Sequence, residues 1–152
     1  MSISDRIAVI REGALQQFEE PQRTYKNPAN LFVAKFLGTP PINILEAEGR
    51  GEALYCGSVK LADAKGVKPG RLLAGIRPET FVPEEDGFAV TADRAEILGR
   101  DLIVSFELGG QFVKALVDTE EIIRAGTVLR FQVKQGRVLL FDADMKTLVG
   151  SL

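Results

Sequence analysis

Arg77 and Glu79 are the residues most directly offered for polar chemistry. They flank Pro78 at the end of the apolar run Leu72-Leu73-Ala74-Gly75-Ile76. Pro78 has no backbone N–H to give a sheet, and it pushes Arg77 into an extended conformation. A buried strand that stops there delivers a guanidinium and a carboxylate at its end. The pair reads as a solvated ion pair or as a structural or interface pair. Asp101 and Asp142 stand near the ends of other apolar runs and read as polar supports or regulatory contacts. Exposed charges at strand ends are usually solvated, so none of the four makes an active site alone.

The chain has no histidine and one cysteine, Cys56. That removes Ser-His and Cys-His nucleophile pairs, most transition-metal sites and the commonest general base. An internal disulfide is excluded, and the single thiol fits a reducing cytoplasm. Nineteen basic against 21 acidic residues leave a net charge of −2. No basic excess points to nucleic acid or an anionic membrane surface. The apolar runs are too short to span a bilayer, and residues 1–11 lack the features of a secretion signal. No catalytic, cofactor or metal site is expected from these residues.

Short elements must position the candidate groups. Residues 7–10 and 14–18 read as strands joined by a tight turn at Arg11-Glu12-Gly13, with Gly13 at positive φ. Pro21 opens a single helical turn over 22–26. Asn27 is expected to cap a helix over 29–37, with Pro28 at its first position and Gly38 past its end. Leu31, Phe32, Ala34, Phe36 and Leu37 cover most of that helix, so it must lie between two bodies. Thr39-Pro40-Pro41 forbids continuation and marks a boundary.

Beyond the boundary the pattern is nearly all strand. Residues 53–56 and 58–61 form a hairpin around Gly57, and 67–70 a turn before 72–77. A long imperfect strand over 88–98 follows, then 101–108, 111–117, 127–134 and 137–141. Pro83-Glu84-Glu85-Asp86-Gly87 reads as an acidic surface loop, and 119–125 as a helical turn closed by Gly126. Gly109-Gly110 turns one strand tightly into the next. Many short strands with glycine turns indicate a small barrel or sandwich. The expected fold is mainly β: an OB-like small barrel over 42–152, preceded by a short hairpin and helix.

Two binding chemistries are open to such a barrel. Anion or small-solute binding needs convergent amides with Ser, Thr or Lys. Gly57-Ser58, Thr91, Lys114 and Arg137 supply suitable types. Binding of single-stranded nucleic acid needs a basic groove with exposed rings. Phe106, Phe131 and Phe141 fall on apolar strand faces and the charge is slightly negative, which disfavours it.

Ordered strings along the chain resemble one family. The first set is Asp5-Arg6-Ile7-Ala8-Val9-Ile10, Gly13, Gln17, Pro21, Tyr25, Pro28 and Phe32-Val33-Ala34-Lys35-Phe36-Leu37-Gly38-Thr39-Pro40-Pro41-Ile42-Asn43. The second is Gly75-Ile76-Arg77-Pro78-Glu79, Glu96-Ile97-Leu98-Gly99-Arg100-Asp101 and Leu140-Phe141-Asp142. In this order they are similar to the C-terminal part of ATP-binding subunits of ABC sugar importers, of the maltose and glycerol-3-phosphate type. The resemblance implies that residues 1–41 end a nucleotide-binding domain and carry its connecting helix. It implies that 42–152 are a TOBE domain, an OB-type regulatory and dimer-supporting appendage. ATP and Mg would be cofactors of the whole subunit and not of this chain. Membrane subunits would be reached through the missing ATPase domain, with a cytoplasmic regulatory protein as a further partner. The place implied is the cytoplasm, at the inner face of the cell membrane. Sugars, polyols and glycerol-3-phosphate are all open as the transported solute.

The departures from the family are informative. No Gly-x-x-x-x-Gly-Lys-Ser/Thr occurs, so the glycine cradle and lysine of a phosphate site are missing. Leu108-Gly109-Gly110-Gln111 mimics the tail of the family's Leu-Ser-Gly-Gly-Gln signature. A signature needs a helix N-terminus facing phosphate, whereas this one lies between alternating strands. Met1-Ser2-Ile3-Ser4-Asp5-Arg6 fits a stretch that follows the ATPase motifs, so Met1 reads as an internal residue of a longer chain. Asp142-Ala143-Asp144-Met145-Lys146-Thr147 lacks the glycine usual after Leu-Phe-Asp. Cut from its ATPase domain, strand 7–10 has an unpaired edge and the helix one bare surface. A homo-oligomer through residues 3–38 is therefore expected, with contacts at Ile7, Val9, Leu31, Phe32 and Phe36.

Overall fold

The computed structural model describes residues 5–38, 40–144 and 146–152. Thr39, which belongs to a family string, and Met1 to Ser4 and Met145, which fall in the other stretches compared with the family, lie outside them. Strand dominates, as expected. The N-terminal elements are β1 (Ile7–Arg11), β2 (Ala14–Glu19), α1 (Pro21–Lys26) and α2 (Leu31–Phe36). Next come β3 (Asn43–Arg50), β4 (Ala53–Cys56), β5 (Val59–Asp63) and β6 (Gly70–Ile76), then a 3₁₀ turn over Pro78–Thr80. The remaining strands are β7 (Phe81–Leu98), β8 (Asp101–Leu108), β9 (Gln111–Val117), β10 (Val128–Val133), β11 (Leu139–Asp142) and β12 (Leu148–Ser151).

The strands form a separate β1-β2 hairpin, a four-stranded sheet in the order β10-β7-β8-β9, and a six-stranded sheet in the order β12-β11-β6-β3-β4-β5. One core fills the space between the two larger sheets. Its centre is a cluster of Phe81, Phe106 and Phe131, with ring centroids 5.5 to 6.2 Å apart. Phe141 is equally buried, in a second cluster with Leu31 and Ala34 of α2 and with Ile42 and Leu139. These rings are packing groups and offer no face on which a base could stack.

The sheets are not one continuous ladder. Side-chain amides close the seam between β3 and β9. The Asn43 Oδ1 accepts from the Lys114 N–H at 2.9 Å, and its Nδ2 donates to the Lys114 carbonyl at 2.8 Å. Gln111 repeats the pattern on Glu46, accepting from its N–H at 2.8 Å and donating to its carbonyl at 3.0 Å. Each amide supplies the donor and acceptor that a strand residue would supply. The expected barrel is thus two open sheets joined by added rungs.

Several expectations are corrected. Asn30, not Asn27, caps α2: its Oδ1 accepts from the Val33 N–H at 3.0 Å. Pro28 keeps Asn27 out of helical geometry, and Asn27 instead ends α1. The acidic stretch is not a separate loop. It lies inside β7, whose pairing with β10 jumps from Ala89 opposite Arg130 to Pro83 opposite Phe131. The intervening residues bulge, and Gly87 passes so close to Phe131 that a Cβ there would sit 2.2 Å from its carbonyl oxygen. Residues 119–125 do not turn helically. The hydroxyls of Thr119 and Thr127 accept from the Glu121 and Arg124 N–H groups and hold an irregular loop. β3 and β12 were not anticipated. Gly109 and Gly110 (φ 58° and 77°) form a hairpin turn, as expected.

Candidate functional site

The site is built on the end of β6. Ile76 finishes the buried run, and Pro78 starts the 3₁₀ turn that closes it. Arg77 therefore leaves the sheet directed back toward the N-terminal helices, and only 5% of it is exposed. Its Nη1 donates to the Ala34 and Leu37 carbonyls at 3.0 and 2.7 Å, and its Nη2 to the Tyr25 carbonyl at 3.1 Å. These carbonyls belong to the last turns of α2 and α1, where backbone acceptors lack helical partners and the helix dipoles are negative. One guanidinium thus caps both helices.

Tyr25 completes the joint. Its ring lies 3.9 Å from the Arg77 guanidinium carbon, a cation–π contact, and its hydroxyl donates to Glu79 Oε1. Burial, reinforced by the bond to Glu79, pushes the phenol up to about 12. Burial also lowers the Arg77 pKa, with Tyr25 and Glu79 opposing it. Gly38 (φ 99°) lets the chain leave α2 beneath the guanidinium, where a Cβ would meet Nη1 at 3.3 Å. Arg77 and Glu79 thus meet through Tyr25. The tyrosine was missed in the sequence, although it lay in a family string.

The other candidates lie elsewhere. Asp142 closes β11, where its Oδ1 accepts from the Asp144 N–H. The turn that follows has Lys146 at φ 58°, the conformation a glycine would take without strain. Asp101 opens β8 opposite Leu98 and shares no hydrogen bond with Arg77 or Glu79. Of the anion-binding candidates, only Arg137 borders the joint. Gly57-Ser58 sits at the β4–β5 turn, Thr91 pairs with Val128, and Lys114 offers its backbone to Asn43. Among the described residues no group of His, Cys, Asp and Glu could hold a metal ion, and no helix is long and apolar enough to cross a membrane.

The residues expected at an oligomer contact differ in exposure. Val9 and Leu31 are buried within the chain, Val9 on the inner face of the hairpin and Leu31 against the second core cluster. Ile7 and Phe32 are half-buried. Phe36 is 61% exposed. The register sets Ala8 opposite Phe18 and Ile10 opposite Leu15, so the outward face of the hairpin carries Ile10, Leu15 and Phe18.

No family model matches the chain. It is 36% identical over 148 residues to the sn-glycerol-3-phosphate import ATP-binding protein UgpC of Jannaschia sp., covering 95% of this chain and 42% of that protein. It is 32% identical to the sulfoquinovosyl glycerol transport ATP-binding protein SmoE of Agrobacterium fabrum, over 94% of this chain and 43% of that one. It is 34% identical to the osmoprotective compounds uptake ATP-binding protein GgtA of Synechocystis sp., over 98% and 46%. The chain spans less than half the length of these relatives. Over nearly its whole length, the chain is similar to part of the ATP-binding subunits of ABC importers.

Proposed function

We propose that this chain is the regulatory, dimer-supporting C-terminal module of such a subunit. Residues 1–41 end its ATPase domain, and 42–152 are a TOBE-type, OB-like appendage. The observation that carries this reading is the Arg77 joint. The β6 strand of the appendage caps both helices that lead into it, so the appendage is keyed to them and not merely tethered. A push from a cytoplasmic regulatory protein on the sheets would reach α1 and α2 through that guanidinium.

The chain itself has no catalytic role in this reading. ATP and Mg belong to the portion of the relatives that it does not match, and so does contact with the membrane subunits. The module works in the cytoplasm at the inner face of the membrane. The outward hairpin face, with Phe36, meets the rest of the ATPase domain, and in isolation a second copy covers it.

A chimera tests the proposal. This chain replaces the matching 148 residues of the Jannaschia protein. The chimera is expected to dimerise and hydrolyse ATP, while this chain alone does not hydrolyse it. ATP hydrolysis by the isolated chain, or a folded chimera that stays monomeric, would overturn the reading.

A further inference from the structure

A cleft of about 300 Å³ opens beside the Arg77 joint. Its walls bring together Lys26, Asn27, Arg77, Glu79, Arg137 and Ser151. Lys26 ends α1, and Arg137 follows the Gly136 turn that leads into β11, so the cleft lies between the N-terminal helices and the sheets. Three cations face one carboxylate. Lys26 and Arg137 are exposed and form no ion pair among the described residues. Arg77 spends its end nitrogens on carbonyls, yet its Nε–H is a buried donor without a partner. Glu79 receives the Tyr25 hydroxyl on Oε1, which leaves its second oxygen to accept another.

We propose that this cleft binds a small hydroxylated monophosphate. The phosphate lies between Lys26 and Arg137, and a hydroxyl donates to Glu79. Two unpaired cations suit a dianion, and the arginine fork matches phosphate oxygens. A lone carboxylate beside them disfavours bare phosphate but rewards an ester that carries a donor. The volume is at the lower end for ligand sites and suits a short polyol ester better than a nucleotide. A ligand held from both sides tightens the joint, which gives the module a small-molecule input. This goes beyond the importer assignment and fails separately from it, since the chimera tests that assignment with no phosphate ester of a polyol present.

The test is a titration of the isotopically labelled chain, followed by amide NMR, with glycerol 3-phosphate, inorganic phosphate and glycerol. The expected result is saturable shifts confined to the cleft, weaker binding of inorganic phosphate and none of glycerol. Lys26→Gln and Arg137→Gln replace exposed side chains, and each is expected to weaken the ester about tenfold with the rest of the spectrum unchanged. Glu79→Gln is expected to abolish the preference of the ester over phosphate. Absence of shifts at millimolar ester overturns the proposal. So do shifts that survive both cation substitutions, and equal affinity for ester and phosphate.

Discussion

Arg77 is a buried cation balanced by helix ends and not by a carboxylate. Three carbonyls from two helices and an aromatic face share the charge. Arg77→Ala would strand those carbonyls and remove the ring contact, at a cost of about 2–4 kcal/mol. Arg77→Lys keeps the charge but cannot fork to two helices, and should recover less than half of that loss. Urea denaturation of the three proteins checks the order. Tyr25 adds a pH signature. Its phenol is raised from 10.0 to about 12, so between those values the folded chain keeps a proton that the unfolded chain releases. Its contribution to stability is complete below pH 10 and is lost as pH rises through 12. Tyr25→Phe retains the ring over Arg77 and should remove that part of the alkaline decline, read as the difference between the two stability–pH curves. Lys146 lies at φ 58°, so Lys146→Gly should stabilise the chain by about 0.5–1 kcal/mol in the same assay.

Strand elements show where sequence reasoning holds and where it stops. β8 and β9 alternate cleanly around a Gly-Gly turn, and both were readable to the residue. β7 was not, because its acidic bulge resembles a loop and only the carbonyl of Phe131, on another strand, shows why Gly87 is needed. Gly87→Ala puts a methyl against that carbonyl and should cost about 3 kcal/mol, whereas Gly51→Ala meets open space and costs only its left-handed strain, about 1 kcal/mol. Thermal midpoints of the two variants should separate accordingly. The partners of Arg77 were hidden for a similar reason. Pro78 marked the strand end, but the acceptors lie 40 to 52 residues earlier, beyond any local pattern. Two asparagines, Asn27 and Asn30, both satisfy the local rule for capping α2, and it is the Oδ1 of Asn30 that accepts the Val33 N–H three residues on.

At the scale of the whole molecule, the seam between the two sheets decides whether the appendage moves as one body. Asn43 and Gln111 are the rungs of that seam, and Cys56 sits behind it. The Cys56 thiol is fully buried and lies 3.5 Å from the Leu108 carbonyl, while Gln111 Nε2 donates to its sulfur at 3.3 Å. Burial raises its pKa, with the Gln111 bond acting in the opposite sense. A thiol reagent can therefore reach it only when the sheets part, and its labelling rate reads the free energy of that opening. Gln111→Ala removes both rungs on Glu46 and the bond to sulfur, a loss of about 1–2 kcal/mol, and labelling should accelerate roughly 5–30-fold. Asn43→Ala should act in the same direction, and the double variant should fall short of the product of the two, since both rungs guard one seam. Additive effects would mean that the sheets open independently at each rung. In that case a contact made on the four-stranded sheet could not be carried across to β6 and Arg77 as a rigid displacement.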